Sequence, residues 1–344
     1  MQVTIKSIAA SCGVSKSLVS RIMNLDPTLR CTPEVRQRVL DEIERQGFIP
    51  NAHAKSLAMR TVDTDRKRYR LGYISYHSDA HKGHPYFDKI GEGVISEIKK
   101  MDCEFVFGID ISSVYTLYKK NKPLCEGKLD GVILFGEIND KGLCDYIVSQ
   151  TKNIITICNQ DAGLPADFVG CDLTETIEIM LECIKNYGYK EIGLLVGSED
   201  EARTRGAINK MAELGLELAP GYLVFGYYDT LKSQEAISER LKQAVPPKVI
   251  CCLNDEMAIG CIRALLEHGY RVPEDVSVTG HDDILRANYF EIPLTTVRIY
   301  KEEIGKLAVA VLVEKISNKR KYAIKAIIPG KLIKRDSLIK NKQV

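Results

Sequence analysis

From Leu71 onward the chain alternates short, almost wholly apolar runs with longer amphipathic ones. No other feature constrains the fold as strongly. The apolar runs are LGYISY, EFVFGI, GVILF, NIITIC, EIGLLV, YLVFGYY, KVICCL and VSVTG. Between them lie FDKIGEGVISEIKK, TIEIMLECIKNYG, SQEAISERLKQAV and MAIGCIRALLEHG, with apolar positions at helical spacing. Strands that are apolar throughout need cover on both faces, and intervening helices provide it in a parallel sheet. About 270 residues of this pattern fit two doubly wound lobes better than one. Ligands of such sheets bind beyond the carboxyl ends of the strands, so function is to be sought in the loops that follow them.

The residues before this pattern read differently. Thr4 is placed to cap a helix carrying Ile5, Ile8 and Ala9, which ends near Cys12-Gly13. Ser15 then caps a second helix with Leu18, Val19 and Ile22 inside and Lys16, Ser17, Ser20 and Arg21 outside. Thr32-Pro33-Glu34 opens a third, with Val35, Val39, Leu40 and Ile43 as its inner stripe, ending at Gly47. Three small helices with a tight first turn form a helix-turn-helix pattern. Residues 1–70 hold thirteen Lys and Arg against seven Asp and Glu, about +6, while the whole chain carries only +2. A basic head on a mildly acidic body points to a polyanion as the head's partner. In such a motif the start of the second helix reaches base edges, so Lys16, Ser17 and Arg21 are the candidate readers. Thr4, Ser15, Ser20 and Asn24 suit phosphate contacts or caps.

Other classes are disfavoured. No apolar run approaches the length of a membrane span, and the N-terminus has no signal-peptide pattern. The eleven cysteines include no CxxC pair and read as reduced, mostly buried residues of a cytoplasmic protein. Gly91-Glu92-Gly93 and Gly305-Lys306-Leu307 lack the frame of a nucleotide-binding loop, and no GxSxG or HExxH occurs, so no enzyme activity or cofactor is expected. His77, His81 and His84 with Asp79 read as a polar loop rather than a metal site.

Thr4–Ser15 followed by Val19-Ser20-Arg21-Ile22-Met23-Asn24, then Phe48-Ile49-Pro50-Asn51 and Ala54-Lys55-Ser56-Leu57, are blocks that resemble the lactose/galactose-repressor family. The match returns at Asp130-Gly131-Val132-Ile133, Asn254–Gly260, Val272–Val278, Gly280-His281-Asp282-Asp283 and Pro293-Leu294-Thr295-Thr296-Val297. The blocks stand in family order and cover nearly the whole chain. Leu25-Asp26-Pro27-Thr28-Leu29 also resembles galactose-type repressors of low-GC Gram-positive bacteria. The sequence departs from the pattern at Lys55, where the family usually has Arg, and at His281, which replaces an aromatic residue. The linker is also several residues longer than usual.

The resemblance implies a helix-turn-helix head over 1–49, a hinge helix over 50–59, a linker over 60–70 and a sensor core over 71–344. That core would be of periplasmic-binding-protein type, with one lobe from about 71–160 and 286–320 and the other from about 161–285 and 321–344. The implied function is a transcriptional repressor of carbohydrate-utilisation genes. It would bind palindromic double-stranded operator DNA as a homodimer, without a membrane partner. Its effector would be a sugar such as galactose or a galactoside; the alternatives are a non-sugar metabolite or a phosphorylated carrier protein. Paired hinge helices would drive Leu57 into the minor groove as a wedge, with Asn51, His53, Ala54 and Lys55 lining that groove. Family positions assign Tyr76, Asn159, Arg203, Asn254 and Asp282 to the effector, with Phe135, Phe168 and Tyr227 as wall candidates. Asp336–Val344 carries no leucine heptads, so a dimer rather than a dimer of dimers is expected.

Overall fold

The computed structural model describes residues 5–23, 29, 31–45, 68–75, 85–136, 138, 140–157, 164–199 and 202–341. The chain divides into two compact units, Met1–Lys67 and Arg68–Val344. The hinge segment 50–59 lies outside the described residues, as do Thr4, Asn24, Tyr76, Asn159 and the His77–His84 run.

The first unit contains α1 (Ile5–Cys12), α2 (Lys16–Met23) and α3 (Pro33–Arg45). Gly13, at φ +64°, makes the turn between α1 and α2 in a conformation that costs glycine little. The Ser15 hydroxyl accepts a hydrogen bond from the Leu18 amide at 3.1 Å, capping α2 as its position predicts. Ile8, Val19, Ile22 and Val39 interlock in the centre. Each contributes about 1.5–3 kcal/mol by leaving water.

The second unit holds two parallel sheets, as the alternation predicts. The first contains β1 (Arg70–Ser75), β2 (Glu104–Asp110), β3 (Gly131–Phe135), β4 (Ile154–Ile157), β5 (Asp167–Gly170) and β11 (Lys325–Ile327), ordered β11-β5-β4-β3-β1-β2. On one face, α4 (Pro85–Lys100) and α12 (Lys301–Asn318) bury Ile90, Val94, Ile304 and Leu312 against Ile133 and Ile155. On the other, α5 (Ile111–Lys119) and α6 (Lys141–Gln150) bury Val114, Leu143 and Ile147 against Val132 and Leu134. Successive residues of β3 thus point to opposite cores, which explains its uninterrupted apolar sequence.

The second sheet is ordered β7-β6-β8-β9, from β6 (Glu191–Val196), β7 (Glu217–Phe225), β8 (Val249–Cys252) and β9 (Ser277–Thr279). Around it pack α7 (Leu173–Asn186), α8 (Ala202–Leu214), α9 (Thr230–Leu241) and α10 (Asp255–Glu267). A short α11 (Leu285–Tyr289) precedes an antiparallel pair, β10 (Thr296–Arg298) with β12 (Lys331–Ile333).

The lobe boundaries expected from the sequence need correction. β5 and β11 belong to the first sheet, so that lobe runs to Gly170 and takes back Lys325–Ile327. Conversely, Ala287, Leu294 and Val297 pack in the core of the second lobe, so residues 286–298 do not belong to the first. The chain therefore crosses between lobes three times, near 171, 299 and 329. Asp167 secures the reassigned strands. Its carboxylate accepts two hydrogen bonds from Arg320, at 3.0 and 2.7 Å, and one from the Ile324 amide at 2.8 Å.

The glycines dismissed as nucleotide motifs have a packing role. A Cβ on Gly93 would lie 2.2 Å from the Glu302 carbonyl oxygen, and one on Gly305 2.3 Å from that of Ile90. They let α4 and α12 meet backbone to backbone. Ten cysteines fall among the described residues; none forms a disulfide, and seven are buried. Among the described residues, no helix is long and apolar enough to cross a membrane.

Candidate functional site

In the head, Ser15, Lys16 and Ser17 are exposed at the start of α2, Arg21 is half-buried one turn on, and Ser20 falls within the same helix. Val19 and Ile22 face inward, so packing fixes which side of α2 is offered outward. A cationic and hydroxyl-bearing helix start has the donors and acceptors to meet base edges in a major groove. The Ser15 oxygen already caps the helix, which leaves Lys16, Ser17 and Arg21 as the candidate readers.

In the second unit, the carboxyl ends of four strands converge on one polar cluster. After β6 comes Arg203, in the first turn of α8; after β7, Tyr228; after β8, Leu253, Asn254 and Asp255; after β9, His281, Asp282 and Asp283. The Arg203 guanidinium donates from Nη2 to the Leu253 carbonyl at 2.5 Å and reaches the His281 Nδ1 at 3.3 Å. It also lies 5.7 Å from the centre of the Tyr228 ring. The Asp282 Oδ1 sits 3.0 Å from the same His281 Nδ1, and the His281 Nε2 is 2.9 Å from the Thr176 hydroxyl. Lys301 donates from its ammonium to the Asp282 carbonyl, and also to the Asp283 carbonyl at 3.4 Å.

Asp282 and Asp283 have φ of +115° and +52°, a strained turn for non-glycine residues that the surroundings must hold. Asp255 is one restraint. Its Oδ2 accepts from the Ile284 amide at 2.8 Å and its Oδ1 from the Thr296 hydroxyl at 2.7 Å. Asp283 is another, paired with Arg298 at 2.6 Å and Arg335 at 2.7 Å.

Burial and charge oppose each other across the cluster. Burial alone would raise Asp282, but the His281 hydrogen bond and the charges of His281, Arg203 and Lys301 carry it below the ordinary carboxylate value. Burial lowers His281 despite the pull of Asp282, and it lowers Lys301 despite Asp282, Asp255 and Asp283. Asp255 is raised, first by complete burial and then by the Asp282 charge.

The first lobe brings aromatic surface. Tyr86 and Phe87 open α4, their ring centres 5.4 Å apart, and Phe87 stands edge-on to Phe135 at the end of β3, at 5.0 Å. The Lys301 ammonium lies 5.8 Å from the centre of the Tyr86 ring, which connects this wall to the polar cluster. So does Cys171, pushed up to about 11 by burial and then by the Asp282 charge. Among the described residues, no group of three or more His, Cys, Asp or Glu is placed to hold a metal ion.

The family model described as periplasmic binding protein-like domain matches residues 182–338. The HTH-type transcriptional repressor MelR of Bacillus subtilis is 28% identical over 349 residues, covering 97% of each chain. Over nearly its whole length the chain is similar to HTH-type transcriptional repressors of this kind. Solved structures agree in fold. The transcriptional regulator CelR–cellobiose complex matches with a TM-score of 0.67 at 21% identity, over 98% of this chain and 100% of that one. The lac repressor dimer bound to operator and the anti-inducer ONPF matches with a TM-score of 0.66 at 20% identity, over the same shares.

Of the effector candidates, Arg203 and Asp282 meet through His281. Asn254 stands beside them, but its side-chain oxygen caps α10 by accepting from the Met257 amide at 2.8 Å. Phe135 is a member of the aromatic wall, and Phe168 is buried in β5. Tyr227 points elsewhere, 58% exposed and under Lys232; its neighbour Tyr228 holds the place beside Arg203. Sequence reasoning missed Tyr86, Phe87, Thr176, Asp255 and Lys301. Asp255 was the most accessible of these, as the first of two acids that open α10 right after Asn254.

Proposed function

We propose that this repressor binds a neutral polyhydroxylated effector, a sugar such as galactose or a galactoside, between the lobes of its sensor unit. The observation that carries this reading is the pairing of an Arg203–His281–Asp282 cluster with the Tyr86–Phe87–Phe135 wall. A guanidinium donates to hydroxyl oxygens, a carboxylate accepts hydroxyl protons, and an aromatic face covers the C–H side of a sugar ring. An effector with its own net charge would have to displace one member of a buried set in which opposite charges already compensate. Tyr76 and Asn159, by their places after β1 and β4, are further proposed contacts, and Asn254 retains its amide nitrogen for one.

The DNA side of the proposal uses the basic head. Lys16, Ser17 and Arg21 read the major groove; Ser15, Ser20, Thr4 and Asn24 steady the backbone; Leu57 with Asn51, His53, Ala54 and Lys55 engages the minor groove. Two copies bind a palindromic operator, since each head reads one half-site. The effector acts by preferring one degree of lobe closure, and a coupling of about 1–3 kcal/mol between sites is ordinary. The genes controlled are proposed to serve carbohydrate use.

The test is a thermal-shift screen of the full chain against D-galactose, lactose, cellobiose, D-ribose, sugar phosphates and purine bases. A bound sugar at a hundred times its dissociation constant stabilises by about 2.7 kcal/mol. A shift with purines or sugar phosphates alone, and none with any neutral sugar, overturns the saccharide reading.

A further inference from the structure

We infer that His281 is a positioning residue whose Nδ1 is one proton site claimed by two rivals, Arg203 and Asp282. Its occupancy selects which of the two is tied to the ring and which is turned to the effector. The inference rests on the sugar reading of the cleft for its last step and on geometry for the rest.

The geometry begins at the far side of the ring. The Thr176 hydroxyl donates to the Leu173 carbonyl at 3.0 Å, so its proton is committed within α7. Its oxygen is left to accept, and the His281 Nε2, 2.9 Å away, must carry the hydrogen. A neutral imidazole then has a bare lone pair at Nδ1. That lone pair accepts from the Arg203 Nη2 at 3.3 Å, but it faces the Asp282 Oδ1 at 3.0 Å, acceptor against acceptor. A proton added at Nδ1 reverses the assignment: the ring donates to Asp282, and the Arg203 donor is repelled. No single protonation state satisfies both contacts. Each of the two effector candidates is half-committed to the same atom.

Every charged group facing the ring enters this balance. Arg203 from α8 and Lys301 from the start of α12 oppose an imidazolium, and Asp282 favours it. Asp255, at the start of α10, and Cys171, at the first crossing, act on Asp282 rather than on the ring. Burial and the two cations lower His281 and so favour the neutral ring bound to Arg203. A sugar hydroxyl that accepts from Arg203 removes the imidazole's donor. Nδ1 then takes a proton from solvent and donates it to the Asp282 Oδ1, while the other carboxylate oxygen receives a hydroxyl proton of the sugar. One proton is taken up per site, so affinity rises as pH falls between the free-state and the higher bound-state midpoint of the ring. The slope reaches up to about tenfold per pH unit.

The experiment has two arms. Long-range proton–nitrogen NMR of the deuterated, histidine-labelled full chain reads the ring directly from pH 5 to 9, with the His281 signals identified by their loss in His281→Gln. The expected result in the wild type is the Nε2–H tautomer at high pH and protonation at Nδ1 as pH falls. Asp282→Asn should move that midpoint down and Arg203→Gln should move it up. A ring protonated at Nδ1 when neutral, or a midpoint that neither substitution moves, overturns the inference without any ligand. In the second arm, D-galactose binding is measured by calorimetry at pH 6 and pH 8, in phosphate and in Tris. The expected heat depends on the buffer and shows uptake of a proton, and His281→Phe abolishes it. Binding with no buffer dependence overturns the proton coupling. An absence of binding by any sugar, with the NMR result intact, overturns the sugar reading and leaves the shared proton site standing.

Discussion

The second unit contains two buried charge clusters, and they are built on opposite principles. At Asp167, every claim is met: two bonds from Arg320, one from the Ile324 amide and Lys315 at 3.6 Å. At His281, two partners compete for one nitrogen, and the neighbouring backbone is strained. The first cluster joins β5 to β11 inside one lobe, at the amino ends of these parallel strands. The second sits where four strands of the other lobe terminate. Burial of charge is common to both and so does not mark a site. Incomplete satisfaction at the carboxyl ends of parallel strands does.

The largest expected effect breaks the satisfied cluster. Arg320→Met leaves the Asp167 carboxylate buried without its main partner and should destabilise the protein by about 3–5 kcal/mol in denaturant titrations at pH 7. Burial alone would raise Asp167; the Arg320 hydrogen bonds hold it below the ordinary carboxylate value. Its contribution is therefore present above pH 4 and lost as pH falls through the folded midpoint. The deficit of the variant should shrink as the solution is acidified. Adding Asp167→Asn to Arg320→Met should recover part of the loss. A variant as stable as wild type would show the pair to be dispensable.

Asp282→Asn should do the reverse. It keeps the shape of the side chain and removes its charge, so it should cost less stability than Arg320→Met. Loss of hydrogen bonds to a charged group should weaken sugar binding by about 1.5–3 kcal/mol, roughly tenfold to a hundredfold. If it destabilises as much as Arg320→Met and leaves affinity unchanged, the two clusters are of one kind. In the head, Leu57→Ala should retain the melting temperature and sugar binding yet weaken operator binding in a gel-shift titration, by the few kcal/mol that a wedge contributes or less. Undiminished operator affinity would remove Leu57 from the interface.

The same contrast explains what the sequence made legible. The eight apolar runs became eight strands because each carries an almost wholly apolar sequence, even where, as in β4, β8 and β9, the strand itself has only three or four residues. β5, β10, β11 and β12 have three or four residues each and contain Asp167, Thr296, Arg298, Lys325 and Lys331, so hydropathy gives no run to see. Those are the segments around the crossings, and missing them displaced the lobe boundaries. In the site, Arg203 and Asp282 were found through family positions, and the place of Asp282 after a recognisable strand supported it. Of the aromatic wall Phe135 was found, but Tyr86 and Phe87 were missed because they stand at the start of an amphipathic helix. Tyr228 was missed in favour of Tyr227 because consecutive positive φ values, +52° and +57°, rotate the turn in a way that strand alternation does not anticipate.

The smallest effect tests the restraint beneath the strained turn. Asp255 is fully buried, and its carboxyl is raised by burial and by Asp282. An acid whose folded midpoint lies above its unfolded value holds its proton more tightly when folded. Its contribution to stability is present at low pH and is lost as pH rises from about 4 through the folded midpoint. Asp255→Asn retains an acceptor for the Ile284 amide and cannot titrate. The altered Thr296 contact offsets overall stability equally at every pH, so the slope is independent of it. As pH rises above about 4 the wild type should lose stability relative to the variant, by at most about 1.4 kcal/mol per pH unit until the folded midpoint is passed, read as diverging melting temperatures. Parallel profiles would mean that Asp255 is ionised throughout. The turn carrying His281 and Asp282 would then rest on a charged carboxylate, whose charge would raise the proton affinity of Asp282 and draw a proton shared with His281 toward the carboxylate.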